Sequence, residues 1–420
     1  MAKLRSFIKL PFGSIVLSLL VVFVMFQFFL QGSIGIMSAQ VKHSFHIDAA
    51  QISILSSAFF YSYILLQIPA GILIDTFGIK KCVIWAVLLM SLGCFSFAFS
   101  NHMLVAILSR IFMGIGASFG FLSMLKCIKL YFDHSKFPII MSLTELFSTT
   151  GVALFNYIIS ILISLASWQI AMSFCGLMAL CLALLLYVCF KYETKTFPEQ
   201  DQQHLKKFDK LEALSVLKKI LKMRYLWLNG IFSGCLFSII TVFVALWGVP
   251  YIKTYYTLDN TTATSIISFI YLGVSISSPL IGILARQFLL THLIRIGAIL
   301  SLIVLSIILY YPPNSLYIMY ILMFLLGAFC SSYQLSFSLV SRHVNNKEQG
   351  SAVGLVNMLC MLSAPLIQPI IGILLSSFQN GIFDGYEEYT IYQYKAALSI
   401  LPFTILIGLF LSFVIKEYDN

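Results

Sequence analysis

Charged side chains are scarce in this sequence. Only 10% of its 420 residues are Asp, Glu, Lys or Arg, whereas a soluble globular domain averages about 25%. The chain has 16 acidic residues, 7 histidines and 9 cysteines, and no Cys-x-x-Cys spacing or P-loop is present. This composition excludes a soluble enzyme, a nucleic-acid-binding module and a disordered chain, and it gives no support for a metal site or for ATP binding.

Hydrophobic residues are correspondingly abundant. They make up 60% of the chain, and the mean hydropathy is +0.96. A membrane-spanning helix needs about 20 mostly apolar residues, so the sequence predicts an all-α membrane protein with twelve transmembrane helices in two six-helix bundles. The predicted spans are 12–37, 50–73, 82–100, 102–130, 137–163, 168–190, 225–250, 263–285, 291–311, 315–340, 348–378 and 391–415.

One long interruption, residues 191–224, divides the chain. It predicts an N-terminal bundle at 1–190, a cytoplasmic linker at 191–224 and a C-terminal bundle at 225–420. In the linker, Leu205, Phe208 and Leu211 recur at helical spacing, and lysines occupy many of the other positions. This pattern is typical of an amphipathic helix bound to anionic lipids at the inner surface. A solvated helical linker explains it equally well.

The basic residues predict the orientation in the membrane. With a cytoplasmic N-terminus, the outer loops carry only Lys42, Lys253 and Lys395, and Arg110 and Lys126 lie within spans. The other 21 of the 26 Lys and Arg residues then fall on the inner side, as the positive-inside rule requires. We therefore expect a multi-pass protein of the cell inner membrane with both termini in the cytoplasm.

The two halves look like parallel repeats. Gly71-Ile-Leu-Ile-Asp75 ends the second span, and Gly282-Ile-Leu-Ala-Arg286 ends the eighth. Gly116-Ala similarly corresponds to Gly327-Ala, and Glu145 to Asn357, at almost the same offset along the chain. A six-plus-six arrangement relates such repeats by an axis along the membrane normal.

Two motifs carry a family resemblance. Gly71-x-x-x-Asp75-x-x-Gly78-x-Lys80-Lys81 resembles the loop motif of the major facilitator superfamily, and Arg110-x-x-x-Gly114-x-Gly116 resembles its fourth-helix pattern. The resemblance implies that Asp75 latches the two halves when the outside is open, in a network with Gly71, Gly78, Lys80, Lys81 and Asp133. The alternative is an ordinary surface turn with solvated charges.

Further segments indicate which branch of the superfamily the sequence resembles. Gly116-Ala-Ser-Phe, Lys126 and Leu246-Trp-Gly-Val-Pro250 are similar to a bacterial nutrient-uptake branch that includes amino-acid carriers of intracellular gammaproteobacteria and resembles lysosomal dipeptide carriers. The fifth span has Thr149-Thr-Gly151 in place of the Gly-Pro motif of drug exporters. This difference disfavours multidrug efflux.

Three charged residues are predicted deep within spans, namely Arg110, Lys126 and Glu145. A charge at the bilayer centre costs about 2.5–3.5 kcal/mol on the insertion scale, so each must face protein or water. Glu145 is the candidate for proton coupling, and Lys126 is the candidate to bind a substrate carboxylate. Their predicted depth lets the two pair, and a purely structural pair is an equally good interpretation. Arg110 belongs to the helix-packing motif with Gly114 and Gly116.

Neutral polar residues complete the predicted substrate site. Gln27 and Gln31 share one face of the first span at i, i+4, and the second half contributes Tyr271, Gln334 and Asn357. Hydrogen bonds between helices explain any one of them nearly as well. As a group they suit a small polar solute.

These patterns predict a secondary active transporter that moves an amino acid, short peptide or organic anion by alternating access, with H⁺ as the coupling ion. We expect a monomer with no cofactor, metal or nucleic-acid partner. The alternatives are a polytopic membrane enzyme, a nutrient receptor that does not transport, and an efflux or facilitated-diffusion carrier. A membrane enzyme would need an acid, base or metal cluster at the membrane surface, and the sequence presents none.

Overall fold

The chain folds into long apolar helices. A computed structural model describes residues 2–133, 137–196, 218–344, 349–378 and 389–416. Eleven helical segments in these ranges are long and apolar enough to cross a membrane, and the predicted all-α fold class is confirmed. Most of the predicted amphipathic linker lies outside the described residues.

The longest segment, Ala49–Ala98, crosses the membrane twice. A straight helix of its 50 residues would be about 75 Å long, more than twice the ~30 Å hydrocarbon core of a bilayer. Gly78 breaks it with φ +83° and ψ 158°, a conformation that glycine adopts without steric cost. Its two parts are helices 2 and 3, which brings the number of crossings within the described ranges to twelve. The sequence predicted the spans 50–73 and 82–100, with a non-helical connection at 74–81 between them. That connection is wrong, because these residues are helical except at Gly78.

The other crossings are numbered in chain order. Helix 1 is Ala2–Phe45, helix 4 Met103–Ala117 with Gly120–Tyr131, helix 5 Phe137–Leu165, helix 6 Trp168–Thr196, helix 7 Arg224–Tyr256, helix 8 Asn260–Leu284, helix 9 Leu290–Tyr310, helix 10 Leu316–Cys330 with Leu335–His343, helix 11 Gln349–Met361 with Ser363–Ser377, and helix 12 Ile391–Leu398 with Ile400–Val414.

Several helices are distorted near their middle. Helix 7 contains a π-helical stretch, Ile239–Trp247, whose nine residues are all buried. Helix 10 contains a 3-10 turn, Ser331–Gln334, and helix 4 is interrupted at Ser118 and Phe119. Such irregular turns in a membrane helix are tolerated where protein surrounds them, and they mark functional sites in many proteins.

The two halves meet at one end of the molecule. We call the end of the molecule at which helix 1 begins and helix 12 ends the terminal end. The opposite end is called the far end. At the far end, the Ala49 amide donates to the Tyr389 hydroxyl (3.3 Å) and the Ala50 amide to Ser376 Oγ (3.0 Å). A side chain at Gly35 would collide with the backbone of Ala245 in helix 7. Helices from both halves therefore close the far end.

Near the terminal end, two glycines have open space beside them. Gly282 of helix 8 and Gly354 of helix 11 lie on its side, and a methyl group added to either would meet no atom within 4 Å. Between the two ends, Ser275 Oγ of helix 8 donates to the Leu146 carbonyl of helix 5 at 3.0 Å. The hydrogen bonds named here between the two halves thus lie at the far end and in the middle of the molecule.

Candidate functional site

A cluster of amide side chains surrounds Tyr63 in the middle of the molecule. Gln27 Nε2 of helix 1 donates to the Tyr63 hydroxyl at 3.2 Å. Gln67, one turn along helix 2, and Asn357 of helix 11 lie beside the same hydroxyl. The cluster therefore joins helices 1 and 2 of the first half to helix 11 of the second. It brings together Gln27 and Asn357, both predicted substrate-binding residues.

Gln31 lies one turn from Gln27 along helix 1, and both amides are almost fully buried. The space beside Gln27 depends on a glycine, because a side chain at Gly120 in helix 4 would collide with Gln27 Oε1. A larger residue at position 120 would displace the Gln27 amide from the cluster.

Glu145 lies in helix 5 at the junction of the two halves. Its neighbour Leu146 accepts the hydrogen bond from Ser275 of helix 8, and its carboxylate is close enough to Tyr333 of helix 10 for an electrostatic interaction. Glu145 is partly buried, and no cation in the described ranges lies within salt-bridge distance of it. A proton bound at this carboxylate would change the charge directly beside the contact between the halves.

Tyr271 and Gln334 lie in the second half, as predicted, and each has a distinct neighbour. The Tyr271 hydroxyl approaches Gly32 of helix 1, so it reaches across the junction of the halves. Gln334 Nε2 donates to Ser278 Oγ of helix 8 at 3.0 Å. Gln334 belongs to the 3-10 turn of helix 10, next to Tyr333, and therefore lies near Glu145.

Arg110 is fully buried and binds backbone rather than a carboxylate. Its guanidinium donates to the Leu30 carbonyl of helix 1 (2.7 Å), to Ser33 Oγ (3.2 Å) and to the Ser56 carbonyl of helix 2 (3.5 Å). It also lies 4.9 Å from the ring centroid of Phe59. Arg110 thus ties helices 1, 2 and 4 together.

The two glycines that follow Arg110 permit close contact between helices. A side chain at Gly114 would collide with the Phe59 carbonyl and Ser62 Oγ, and one at Gly116 with the Ala86 carbonyl. The backbone of helix 4 therefore packs directly on helices 2 and 3.

The predicted pairing of Lys126 with Glu145 is wrong. Lys126 Nζ lies 2.7 Å from Asp75 Oδ1 and donates to the Ile74 carbonyl at 3.0 Å. Asp75 is twelve residues beyond Tyr63 in helix 2, which is about 18 Å at 1.5 Å per residue. Lys126 consequently lies near the terminal end, away from the amide cluster and from the depth that the sequence predicted.

The other predicted latch residues are at the same end. Lys80 Nζ donates to the Phe190 carbonyl of helix 6 at 3.4 Å, Lys81 and Asp133 are exposed, and Gly71 lies beside Leu122 of helix 4. Asp75 contacts Lys126 of its own half. The resemblance predicts the latch between the halves for the state in which the outside is open.

The Asp75–Lys126 pair should contribute little to stability and nothing directly to substrate affinity. The Asp75 side chain is 70% exposed, and ion pairs at such exposure contribute about 0.2–1 kcal/mol. We expect a double-mutant cycle of Asp75→Asn and Lys126→Ala, read by thermal unfolding in detergent, to give a coupling energy in that range that falls with added salt. A tenfold or greater loss of substrate affinity in Lys126→Ala alone would instead place the ammonium at the substrate.

Two residues of the cluster were not predicted. Tyr63 and Gln67 occupy one face of helix 2 at i, i+4, the same spacing that singled out Gln27 and Gln31. The signal was therefore present in the sequence. Tyr333 carries no comparable signal, because its position beside Glu145 depends on how helix 10 of one half packs against helix 5 of the other.

The fold and this polar centre between two helical bundles define a polytopic membrane transporter. The profile described as Major Facilitator Superfamily matches residues 17–367 and 240–418, and the chain belongs to that family. The two overlapping matches are consistent with the internal repeat.

Individual relatives are distant. The chain is 25% identical over 201 residues to the uncharacterized transporter YybO of Bacillus subtilis (strain 168), covering 48% of this chain and 44% of that protein. It is 23% identical over 159 residues to the probable sulfoacetate transporter SauU of Cupriavidus necator, covering 38% and 37%. The matches thus span less than half the length of these curated relatives.

The fold is similar to that of a solved transporter. The crystal structure of a bacterial homologue of the human lysosomal transporter Spinster, in an inward-facing and unoccupied conformation, superposes with a TM-score of 0.73. The superposition covers 98% of this chain and 99% of that one at 14% sequence identity. At this identity the likeness concerns the fold alone.

Proposed function

We propose that the protein is a secondary active transporter that carries a small polar metabolite across the inner membrane in symport with H⁺. The observation that supports this most directly is Glu145, a partly buried carboxylate without a salt-bridge partner in the described chain, beside the Ser275–Leu146 hydrogen bond between the halves. Ionisable residues within membrane spans commonly form proton pathways. Binding of a proton at Glu145 would alter the stability of the contact next to it.

The orientation follows from the distribution of basic residues, which favours cytoplasmic termini. With that orientation, the terminal end is the cytoplasmic end, and the hydrogen bonds that close the far end correspond to an inward-facing state. Transport by alternating access then requires the far end to open while the terminal end closes. Asp75, Gly78 and the lysines near them would act when the terminal end closes.

Among amino acids, short peptides and organic anions, the site favours solutes without net negative charge. The cations predicted to lie deep in the membrane are engaged elsewhere, since Arg110 binds backbone carbonyls and Lys126 binds Asp75. The amide cluster and Glu145 remain to meet the substrate, and neither supplies a positive charge for a carboxylate or sulfonate.

Uptake by purified protein in proteoliposomes tests the proposal. A panel of labelled amino acids, dipeptides and organic acids would be offered with and without an inward pH gradient. We expect at least one neutral or zwitterionic solute to accumulate above its outside concentration only when the gradient is imposed. Saturable binding without uptake would support a receptor, equilibration without accumulation would support facilitated diffusion, and conversion of a solute would support an enzyme.

The far-end hydrogen bonds should set how often the outside opens. Tyr389→Phe removes the acceptor of the Ala49 amide but keeps the ring, and Ser376→Ala removes the acceptor of the Ala50 amide. Each bond contributes about 0.5–1.5 kcal/mol, or about 1–3 kcal/mol for the two together, so we expect the double variant to open about five- to 150-fold more often. The measurement is labelling of a cysteine placed at buried Ser53 by an impermeant maleimide added outside.

The matched control is Ser376→Thr, which keeps a hydroxyl acceptor for the Ala50 amide and should leave the labelling rate unchanged. Equal labelling of the double variant and the parent protein would show that these two bonds do not hold the far end closed.

A further inference from the structure

The amide cluster holds unusually many unpaired polar atoms. Within the described protein, no hydrogen-bond partner is found for Gln27 Oε1, Gln31 Nε2, either amide atom of Gln67, or Asn357 Nδ2. These side chains are between 1% and 8% exposed. The large majority of buried polar atoms in proteins are hydrogen-bonded, so five such atoms on neighbouring helices require an explanation.

The unpaired atoms include both hydrogen-bond donors and hydrogen-bond acceptors. Gln31, Gln67 and Asn357 each present N–H donors, and Gln27 and Gln67 each present a carbonyl oxygen as acceptor. Gln67 offers a donor and an acceptor from one planar group. A ligand that satisfies this set must itself present a donor beside an acceptor, as an amide edge does.

The charges around the cluster limit the ligand further. Tyr63 and the amide side chains carry no formal charge. The nearby Arg110 uses its terminal nitrogens on the Leu30 and Ser56 carbonyls and Ser33, and its Nε has no hydrogen-bond partner in the described protein. A carboxylate placed between Gln67 and Asn357 would be desolvated beside side chains that carry no charge. An apolar group would leave all five atoms unsatisfied.

We infer that Gln27, Tyr63, Gln67 and Asn357 form a subsite for an uncharged amide group of the substrate, either a carboxamide or a peptide bond. This inference rests on the proposed function, because it assigns the substrate class of the transporter. It also makes Gln67 a specificity-determining residue. The cluster spans both halves, so an amide bound there contacts the elements that move relative to one another.

Gln67→Leu tests the subsite through stability as well as binding. An amide kept unpaired for a ligand destabilises the ligand-free protein, and an apolar side chain of similar size removes that cost. We therefore expect Gln67→Leu to raise the melting temperature of the ligand-free full-length protein in detergent. A side chain that serves only as a structural hydrogen-bond partner would lower the melting temperature when replaced.

Binding is measured by thermal stabilisation with matched probes. L-glutamine, L-asparagine and glycylglycine carry an amide, whereas L-glutamate, L-aspartate and glycine do not. We expect the amide probes to stabilise the parent protein and the others to have at least tenfold weaker effects. Gln67→Leu should weaken amide binding about ten- to hundredfold, while Gln287→Leu, at an exposed position near the terminal end, should not.

The outcomes separate this inference from the proposed function. Amide binding without uptake of any solute would refute transport but support the subsite. Gradient-driven uptake of a solute without an amide, with no binding of the amide probes, would refute the subsite but support transport. Equal binding of amides and acids, or unchanged amide binding in Gln67→Leu, would also overturn the subsite.

Discussion

Glu145→Gln should abolish accumulation driven by a pH gradient while leaving exchange intact. Gln keeps the size of the side chain but cannot release or take up a proton. With one H⁺ per substrate, a gradient of one pH unit supports about tenfold accumulation, because one pH unit is about 1.4 kcal/mol. In proteoliposomes with the membrane potential clamped at zero, we expect the accumulation ratio to fall from about ten to about one.

Counterflow at equal substrate concentrations is the companion measurement. It requires the two halves to change conformation with substrate bound but needs no net proton movement, so Glu145→Gln should retain it. Glu145→Asp keeps a titratable carboxylate at nearly the same place and should restore accumulation in part. Full accumulation by the Gln variant, or loss of counterflow together with accumulation, would remove Glu145 from the coupling mechanism.

Glu145 lies next to the contact between helices 5 and 8, which belong to different halves. The adjacent Leu146 carbonyl accepts from Ser275, and Ser275 Oγ also lies 2.6 Å from Thr150 Oγ1. Two residues of helix 5, Leu146 and Thr150, therefore contact helix 8, and Glu145 is the residue directly before the first of them. A change of charge at Glu145 acts on the junction itself, and no long chain of intermediate residues is needed to carry the effect.

The sequence was sufficient to predict the helices and their number. Apolar runs of about 20 residues are required by the bilayer, whatever their neighbours, so hydropathy alone locates twelve crossings. It could not predict that helices 2 and 3 continue through residues 74–81. That outcome depends on a single positive φ at Gly78, which turns the chain without a loop.

The partner of Lys126 could not be predicted from depth. Its direction depends on the interruption of helix 4 at Ser118 and Phe119, which rotates the second part of the helix relative to the first. Lys126 is five residues before the end of that part at Tyr131, close enough for a long side chain to reach Asp75. Pairing across helices depends on such rotations, and a hydropathy pattern does not record them.

The amide cluster also depends on contacts between helices that the sequence pattern does not record. Spacing placed Gln27 and Gln31 on one face and could have placed Tyr63 and Gln67 on another, but it did not bring Asn357 of the second half beside them. That contact follows from the packing of helix 11 against helix 2, where Tyr61 donates to the Pro365 carbonyl at 3.0 Å. The repeat predicts Asn357 as the counterpart of Glu145, and the fold places Asn357 beside Tyr63.

Two glycine substitutions should change stability in opposite directions. At Gly114, a methyl group would overlap the Phe59 carbonyl and Ser62 Oγ, so helices 2 and 4 would have to separate where Arg110 also joins them. Overpacking of this kind costs about 1–3 kcal/mol. We expect Gly114→Ala to lower the melting temperature and the yield of folded protein.

Gly354→Ala is the matched control, because Gly354 lies within helix 11 and a methyl group there meets no atom within 4 Å. Alanine is favoured over glycine inside a helix by up to about 1 kcal/mol, so this variant should be as stable as the parent or more stable. If both variants melted at the parent temperature, the close packing of helices 2 and 4 at Gly114 would be refuted, and Arg110 would be left as the main tie between helices 1, 2 and 4.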